Sequence, residues 1–395
     1  MDGIHNIIPE DVVQEINSAL GDGDLNKATE RLRESLIEIE NTPLHIAVTG
    51  ESGTGKSTLV NVLRDMGDEE EGSAKTGVVE TTMEPTPYTH PKYPNVTVWD
   101  LPGIGTPKFV AENYLESVEF SRYDFFVIMS SERFKENDID LAKAIQAMDK
   151  KFFFVRSKVD NDLHASEVRR KKTYSEEGVL REIRENCVKN LIDGGITEPK
   201  VFLLSLLELD KYDLEEMQET LEKELPEHKR HMFLMSLPNI SLPILEKKRR
   251  ALKKDIWKFA TVCSTMATAS VRRSSLTCDV AFLVVVMVMY QKAFGLDKES
   301  LKNLANKFGK AVDELRSVIR SPLVKQEINK EFVANLLTME STRNLRRAQK
   351  IAGYVPVLGT MVAGGISFGV TYSMLNDYLE EIAEDAVRVL TKALE

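Results

Sequence analysis

The stretch VTGESGTGKSTLV, residues 48–60, ends one apolar run and opens a helical pattern, and its reading decides the fold. It fits G-x-x-x-x-G-K-[ST] through Gly50, Gly55, Lys56 and Ser57. A strand-like segment, LHIAVT, precedes it and TLVNVLRDM, a helical sequence, follows, which is the context the motif requires. Glycines let such a loop curl so that backbone N–H groups and the helix N-terminus face a chain of phosphates. Gly50, Ser52, Gly53, Thr54, Gly55 and Thr58 are then phosphate-binding candidates, Lys56 neutralises the β- and γ-oxygens, and the Ser57 hydroxyl ligates Mg²⁺. By itself the loop does not separate ATP from GTP.

Two later signals do. In VWDLPGIG, Asp100 and Gly103 form D-x-x-G at the end of an apolar strand, where a second carboxylate supports the Mg²⁺ shell and a glycine N–H meets a γ-phosphate. In FFFVRSKVD, a strand ends in Ser157, Lys158, Val159 and Asp160, similar to the [NT]-K-x-D guanine-reading motif. A carboxylate there accepts two hydrogen bonds from the N1–H and N2–H₂ of guanine, which adenine cannot supply, and the lysine stem covers the base plane. A polar site left unpaired by the wrong base discriminates strongly. The motif therefore favours GTP, with Ser157 standing where Asn or Thr is commoner.

The polar segment EEEGSAKTGVVETTMEPTPY between the loop and D-x-x-G reads as a switch, with Thr76, Thr81 and Thr82 as alternative Mg²⁺ ligands. Ras-like proteins place a water-orienting glutamine directly after D-x-x-G. Here that position is Ile104, so hydrolysis has to be organised by backbone groups or by a second molecule.

At 395 residues, with 42% hydrophobic and 29% charged residues, the chain has the composition of an ordinary globular protein with room for two domains. A net charge of -10 argues against nucleic acid as the main partner. Three cysteines, Cys187, Cys263 and Cys278, are widely spaced and odd in number, which fits a reducing compartment, the cytosol, better than a disulfide framework. The N-terminus carries no secretory signal, and Asp2 is incompatible with N-myristoylation, which needs glycine there.

Apolar residues recur at helical spacing from Val12 to Ile39, broken at GDGD, which predicts a helical pair over residues 1–40. Short apolar runs then alternate with amphipathic segments. Strands are predicted at 44–49, 96–99, 125–130, 152–156 and 201–205, with helices at 138–148 and 177–191 among those between them, the rhythm of a covered, mostly parallel sheet over 41–226. From 227 to 395 the pattern is helical, with long periodic stretches at 244–260, 301–319 and 374–394. The layout is an α/β domain between two helical parts that form one helical domain if the ends of the α/β domain are adjacent.

With these motifs and the strings AKTGVVETTM, WDLPGIGTP, YDFF, RFKENDIDLAKAI and LPEHKRHMF, the chain closely resembles the interferon-inducible immunity-related GTPases. The similarity runs from about residue 10 to the end and is strongest over 44–231. Lys56 places it with the G-K-S effector branch, since the regulatory branch carries methionine there. The resemblance implies a Ras/dynamin-like G domain with a helical domain built from both termini, GTP hydrolysis with Mg²⁺, and GTP-dependent self-assembly through G domains, with other family members as further partners. It implies cytoplasmic residence with peripheral association to endomembranes or pathogen-containing vacuoles in cell-autonomous defence. By position in the matching motifs, Glu51, Ser52, Lys75, Thr76 and Glu80 lie on the nucleotide face used for assembly, and Lys56, Ser57, Glu51, Glu80 and Thr82 are the catalytic set. Ser205 belongs to the base loop, where Leu206 replaces the usual Asn. A nucleotide-gated scaffold with negligible turnover is the alternative function.

Residues 351–376 contain no charge, and Arg343, Arg346, Arg347 and Lys350 precede them. The segment is long enough to span a bilayer but rich in Gly and Pro, which favours a buried helix or hairpin over peripheral membrane contact or a span. VAFLVVVMVMY, residues 280–290, is too short to span and reads as core. KKRRALKK (247–254) and RRKK (169–172) read as solvated faces before lipid sites, and His228 and His231 lack further ligand-type neighbours.

Overall fold

The computed structural model describes the chain from residue 41 onward except 78–81, 83, 105–110, 133, 271–276 and 352–360. Before residue 41 it describes positions 12, 14, 15, 18, 19, 22, 27, 30, 31, 34, 35 and 38. All of these but Asp22 are helical, and Arg31 Nε donates to Glu15 Oε2 at 2.6 Å. The chain divides into two compact units, one of Met1–Thr42 with Leu242–Glu395 and one of Pro43–Ser241.

In the Pro43–Ser241 unit the strands are β1 (Leu44–Gly50), β2 (Thr86–Thr89), β3 (Val96–Asp100), β4 (Phe125–Ser130), β5 (Phe152–Arg156) and β6 (Val201–Leu203). They form one six-stranded sheet in the order β2-β3-β1-β4-β5-β6. β2 runs antiparallel to β3 and the other pairs are parallel. Such strands, covered on both faces, need continuous apolar runs, and FFVIMS of β4 is buried at every position. Between the strands run α1 (Lys56–Leu63), α2 (Ala111–Ser117), α3 (Glu136–Ala147), α4 (Val159–Arg169) and α5 (Glu176–Asp193), and α6 (Leu214–Glu224) and α7 (Glu227–Ser236) follow β6. Ala47, Tyr123, Phe126, Ile128, Leu141, Ile145 and Phe154 belong to the core cluster, which Ile104 also joins.

Register brings Gly50, Asp100, Ser130 and Arg156 to one edge of the sheet, since Val48 pairs with Asp100, Gly50 with Met129 and Ser130 with Arg156. β1 lies between β3 and β4, so successive connections leave it in opposite directions, and open α/β sheets bind ligands at the strand C-termini beside such a point. Gly50 has φ 134°, and a Cβ there would stand 2.0 Å from the Met129 carbonyl oxygen, so β1 can end this close to β4 only with glycine.

Three elements depart from the sequence reading. β2 begins at the end of the segment read as a polar switch; four residues long, with Pro87 and Thr89 exposed, it holds an edge position. The predicted strand 201–205 ends at Leu203, after which Ser205 and Leu206 turn into the base loop. The boundary placed at 226/227 falls instead at 241/242, because α7 packs against β1 and β3 and the Ser236 carbonyl meets His90 Nε2 at 3.0 Å.

The other unit holds α8 (Leu242–Ser270), α9 (Thr277–Ala293), α10 (Lys298–Phe308), α11 (Val312–Ser317), α12 (Lys330–Ile351) and α13 (Met361–Leu394). α8 packs along α13. The predicted helix over 301–319 is broken where Gly309, at φ 65°, caps α10 in the left-handed conformation. In α9, Leu283, Val286, Met287 and Tyr290 are buried as expected of a core run, but Val285 and Val288 face solvent. Within the basic run 247–254, Arg249 and Lys253 reach Glu380 at 2.6 and 2.5 Å, Arg250 reaches Glu246 at 2.8 Å, and the buried Lys248 donates to the Ala293 carbonyl at 3.1 Å. Among the described residues no helix is long and apolar enough to cross a membrane. The heart of the uncharged stretch 351–376, residues 352–360, lies outside the described residues, as does the side chain of Cys278. Cys187 and Cys263 are free and buried, and burial pushes the Cys187 thiol up to about 11, away from the reactive thiolate range.

Candidate functional site

The loop after β1 is built by glycines in conformations other residues avoid. Gly53 has φ 76° and Gly55 φ 93°, the latter capping α1 so that its free N–H groups point into a cleft. Ser52, Gly53, Gly55, Lys56, Ser57 and Thr58 line that cleft together with Thr76, Gly77, Thr82, Gly103 and Lys158. Thr54 turns away and donates to the Glu51 carbonyl at 2.8 Å; the mostly buried Lys56 ammonium donates to the same oxygen at 2.9 Å. The loop is thus closed on itself, with its cation held at the floor of the cleft.

Asp100, at the end of β3, is buried beside Ser57. Ser57 Oγ donates to Asp100 Oδ2 at 2.5 Å and Thr82 Oγ1 donates to the same oxygen at 2.9 Å, while Asp100 Oδ1 is buried with no hydrogen-bond partner among the described residues. A buried carboxylate oxygen left unpaired beside two hydroxyls is the donor set of a hard divalent cation. These residues fit Mg²⁺, which Ser57 and Asp100 would hold with Thr82 beside them. Of the two described switch threonines, Thr82 is brought onto Asp100, whereas Thr76, expected as a metal ligand, lies exposed on the cleft rim. Glu80 and Thr81 lie outside the described residues.

The base-reading end follows from β5. Ser157 Oγ donates to the Thr54 carbonyl at 2.6 Å, so serine performs the tie to the phosphate loop for which only a hydroxyl is needed. Lys158 follows at φ 57°, exposed at the cleft, and Asp160 stands half-buried on the first turn of α4. That turn is fixed by Arg156 Nη2 donating to Asp162 at 2.6 Å. Ser205 is buried and accepts the Leu207 N–H at 3.3 Å; Leu206 packs toward Gly55, with its Cδ1 3.1 Å from where a Cβ on that glycine would stand.

Ile104 does not face the cleft. Its side chain is fully buried in the sheet core, its N–H donates to the Gly50 carbonyl at 3.3 Å, and its carbonyl accepts from Asn137 Nδ2 at 3.1 Å. Tyr114 holds the same loop from behind, its hydroxyl donating to the Pro102 carbonyl at 3.0 Å and bonded to Thr49 Oγ1 at 2.8 Å.

The start of α3 is a part of the site that motif reading missed. Lys135 pairs with Glu51 of the phosphate loop and lies 3.3 Å from Glu132, and the Glu51 hydrogen bond raises its pKa. Asp138 accepts the Lys135 N–H at 3.2 Å and is buried, and burial raises its pKa to about 6. The available signal was the acidic third residue of a helix start in KEND, which can cap the preceding N–H. The sign of its effect follows from linkage. A carboxyl with a folded-state pKa above its ordinary 3.8 favours the native state while protonated, so stability falls as pH rises from about 4 to about 6 and the full penalty is present at neutral pH. Asp138→Asn is expected to be close to the parent in stability at about pH 4 and more stable by up to about 2 kcal/mol at about pH 7.5, read from urea midpoints. Equal differences at both pH values would contradict the assignment.

The chain matches the model of the family "Interferon-inducible GTPase (IIGP)" over residues 9–393. It is 45% identical over 389 residues to "Interferon-inducible GTPase 5" of Rattus norvegicus, covering 98% of this chain and 84% of that protein. To "Interferon-gamma-inducible GTPase 10" of Mus musculus it is 42% identical over 386 residues, covering 98% and 90%. To "T-cell-specific guanine nucleotide triphosphate-binding protein 2" of Mus musculus it is 40% identical over 390 residues, covering 98% and 91%. A phosphate loop, a buried metal-type carboxylate and an S-K-x-D turn on one sheet edge thus occur in a chain matched along almost its whole length, and it belongs to the interferon-inducible GTPase family.

Proposed function

We propose that this GTPase completes its catalytic site by self-assembly across the nucleotide face and acts, in that assembled state, at membranes of pathogen-containing vacuoles. The observation that carries the first half is Ile104. The position that would orient the attacking water is an aliphatic side chain locked in the core, so that position offers the water no side-chain hydrogen-bonding group. Gly50, Gly53 and Gly55 cradle the phosphates of GTP, Lys56 neutralises the γ-phosphate, and Asp160 reads guanine. Mg²⁺, when bound at Ser57 and Asp100, supplies charge neutralisation between the β- and γ-phosphates.

Ser52 and Thr76 are exposed where they line the cleft, Lys75 beside Thr76 is exposed as well, and the half-buried Glu51 pairs with Lys135. An assembled pair would exclude water around the phosphates, where electrostatic stabilisation is strongest. Other family members are further candidates for the opposing surface. The protein works in the cytoplasm and meets endomembranes peripherally, which accords with helices too polar to span a bilayer among the described residues.

The test is GTP turnover per molecule across a wide range of protein concentrations. A specific activity that rises with concentration is expected. Turnover that is appreciable but independent of concentration would contradict assembly. Turnover near zero throughout, with GTP bound, would favour a nucleotide-gated scaffold instead.

A further inference from the structure

The chain between β6 and α6, residues 204–212, closes on itself at a neck. The Asp213 N–H donates to the Leu203 carbonyl at 3.1 Å, and the Leu203 N–H donates back to Asp213 Oδ2 at 2.6 Å. Arg184 of α5 fastens both sides of that neck: Nη2 donates to Asp213 Oδ1 and Oδ2 at 3.0 and 2.7 Å, and Nη1 donates to the Val201 carbonyl of β6 at 2.9 Å. Asp213 stands at the N-cap of α6, where an aspartate ordinarily accepts an N–H of its own helix, but its side chain makes no such bond. The carboxylate is given over to the neck instead. Tyr212, directly before it, takes φ 59°, a conformation that costs a non-glycine residue energy and persists where its surroundings fix it.

What the neck encloses is the base-reading end of the site. The Leu204 N–H donates to the Arg156 carbonyl at 2.8 Å, and the Leu204 carbonyl accepts the Val159 N–H at 3.3 Å. The first residue past the neck is thus bonded on both sides to the S-K-x-D turn, and Val159 directly precedes Asp160. Ser205 and Leu206 follow, Ser205 buried and Leu206 against Gly55 of the phosphate loop. Position passes from Arg184 through Asp213 and Leu203 to Leu204, and from there to the turn that carries Asp160. The Asp213 side chain is only 14% exposed, and a largely buried acceptor with a charged donor makes a stronger bond than the same pair in water.

We propose that Arg184 and Asp213 are positioning residues for guanine recognition: their ion pair holds the base loop and the S-K-x-D turn in register before the nucleotide arrives, so that binding does not have to order them. This rests on the cleft being the guanine-nucleotide site. Both residues act through the backbone of the segments they hold, and a helix remote in sequence from every nucleotide motif thereby sets the shape of the base site.

The experiment compares full-length Arg184→Ala with the parent by calorimetric titration with GDP and with ADP, and by kcat at saturating GTP and one protein concentration. Ordering a loop that the parent holds ready costs on the order of tenfold in affinity. ADP, held by its phosphates, does not draw on that loop. GDP affinity is therefore expected to fall roughly tenfold, the preference for GDP over ADP to shrink by a similar factor, and kcat to stay within about twofold of the parent. A loss shared equally by GDP and ADP, a fall in kcat comparable to that in affinity, or no change at all would overturn the proposal. If the variant does not fold, hydrogen exchange on the parent decides: the Leu203 and Asp213 amides are expected to be equally protected without nucleotide and with GDP. Protection that arises only with GDP would refute the preformed neck. A parent that binds no guanine nucleotide refutes the cleft assignment and the clamp with it, whereas a parent that prefers GDP beside an unaltered Arg184→Ala refutes the clamp alone.

Discussion

Lys56→Ala is expected to weaken GTP binding by roughly 100-fold and to abolish nucleotide-dependent assembly. The lysine is the first residue of α1, mostly buried, with its ammonium held on the Glu51 carbonyl at the floor of the cleft. Among the described residues that line the cleft, only Lys158 at the base-reading end is also cationic. Removing the phosphate-end charge leaves backbone N–H groups and the helix N-terminus to neutralise a triphosphate, and charge-assisted bonds of this kind are the strong ones. The change is also mild for the fold: the glycine conformations that shape the loop are set by Gly50, Gly53 and Gly55. Calorimetric titration with a non-hydrolysable GTP analogue reads the affinity, and light scattering after GTP addition reads assembly. Scattering that still rises with GTP in the variant would contradict the role given to Lys56.

Much of this site was readable before any coordinates. Gly50, Gly55, Lys56 and Ser57 sit in a contiguous motif between strand and helix, so local sequence and local structure coincide. Asp100 and Ser157 to Asp160 were legible because parallel strands of similar length bring their C-termini to one edge, and each motif follows such a strand. What stayed hidden depends on contacts distant in sequence. Lys135 reaches Glu51 across 84 positions, and no spacing rule connects them. Arg184 lies in an amphipathic helix where it resembles a solvated arginine until Asp213 is seen against it. β2 was missed because a short edge strand containing proline carries little apolar signal. The boundary after residue 226 was misplaced because α7 is helical like the residues beyond it, and only its packing on β1 and β3 assigns it to the sheet unit.

The same reasoning separates Ile104 from a neutral substitution. From sequence it is a missing glutamine; in the fold it is a core residue with both backbone groups engaged. Reintroducing a carboxamide there would bury a polar group among aliphatic and aromatic side chains instead of presenting it to water. The absence is therefore part of how the loop is packed, which is why a partner surface is the natural place to seek the missing assistance.

Asp160→Asn carries the second large effect. The carboxylate is half-buried on the first turn of α4, a turn fixed by Arg156 on Asp162, and no described residue donates a hydrogen bond to it. It is thus free to accept the paired N–H donors of guanine. An amide at that position offers one donor and one acceptor, which mismatches guanine but suits the exchanged carbonyl of xanthine. Two charge-assisted bonds are lost for GDP, so affinity is expected to fall roughly 100-fold or more, while affinity for the xanthosine diphosphate rises. Because Lys56, Ser57 and Asp100 are untouched, the phosphate end is unchanged and the shift isolates base recognition. The decisive measurement is a calorimetric titration of the parent and of Asp160→Asn with GDP, ADP and xanthosine diphosphate. The parent should prefer GDP and the variant should prefer xanthosine diphosphate; equal affinity of the two proteins for GDP, or a parent that binds ADP as tightly as GDP, would contradict a guanine-nucleotide site.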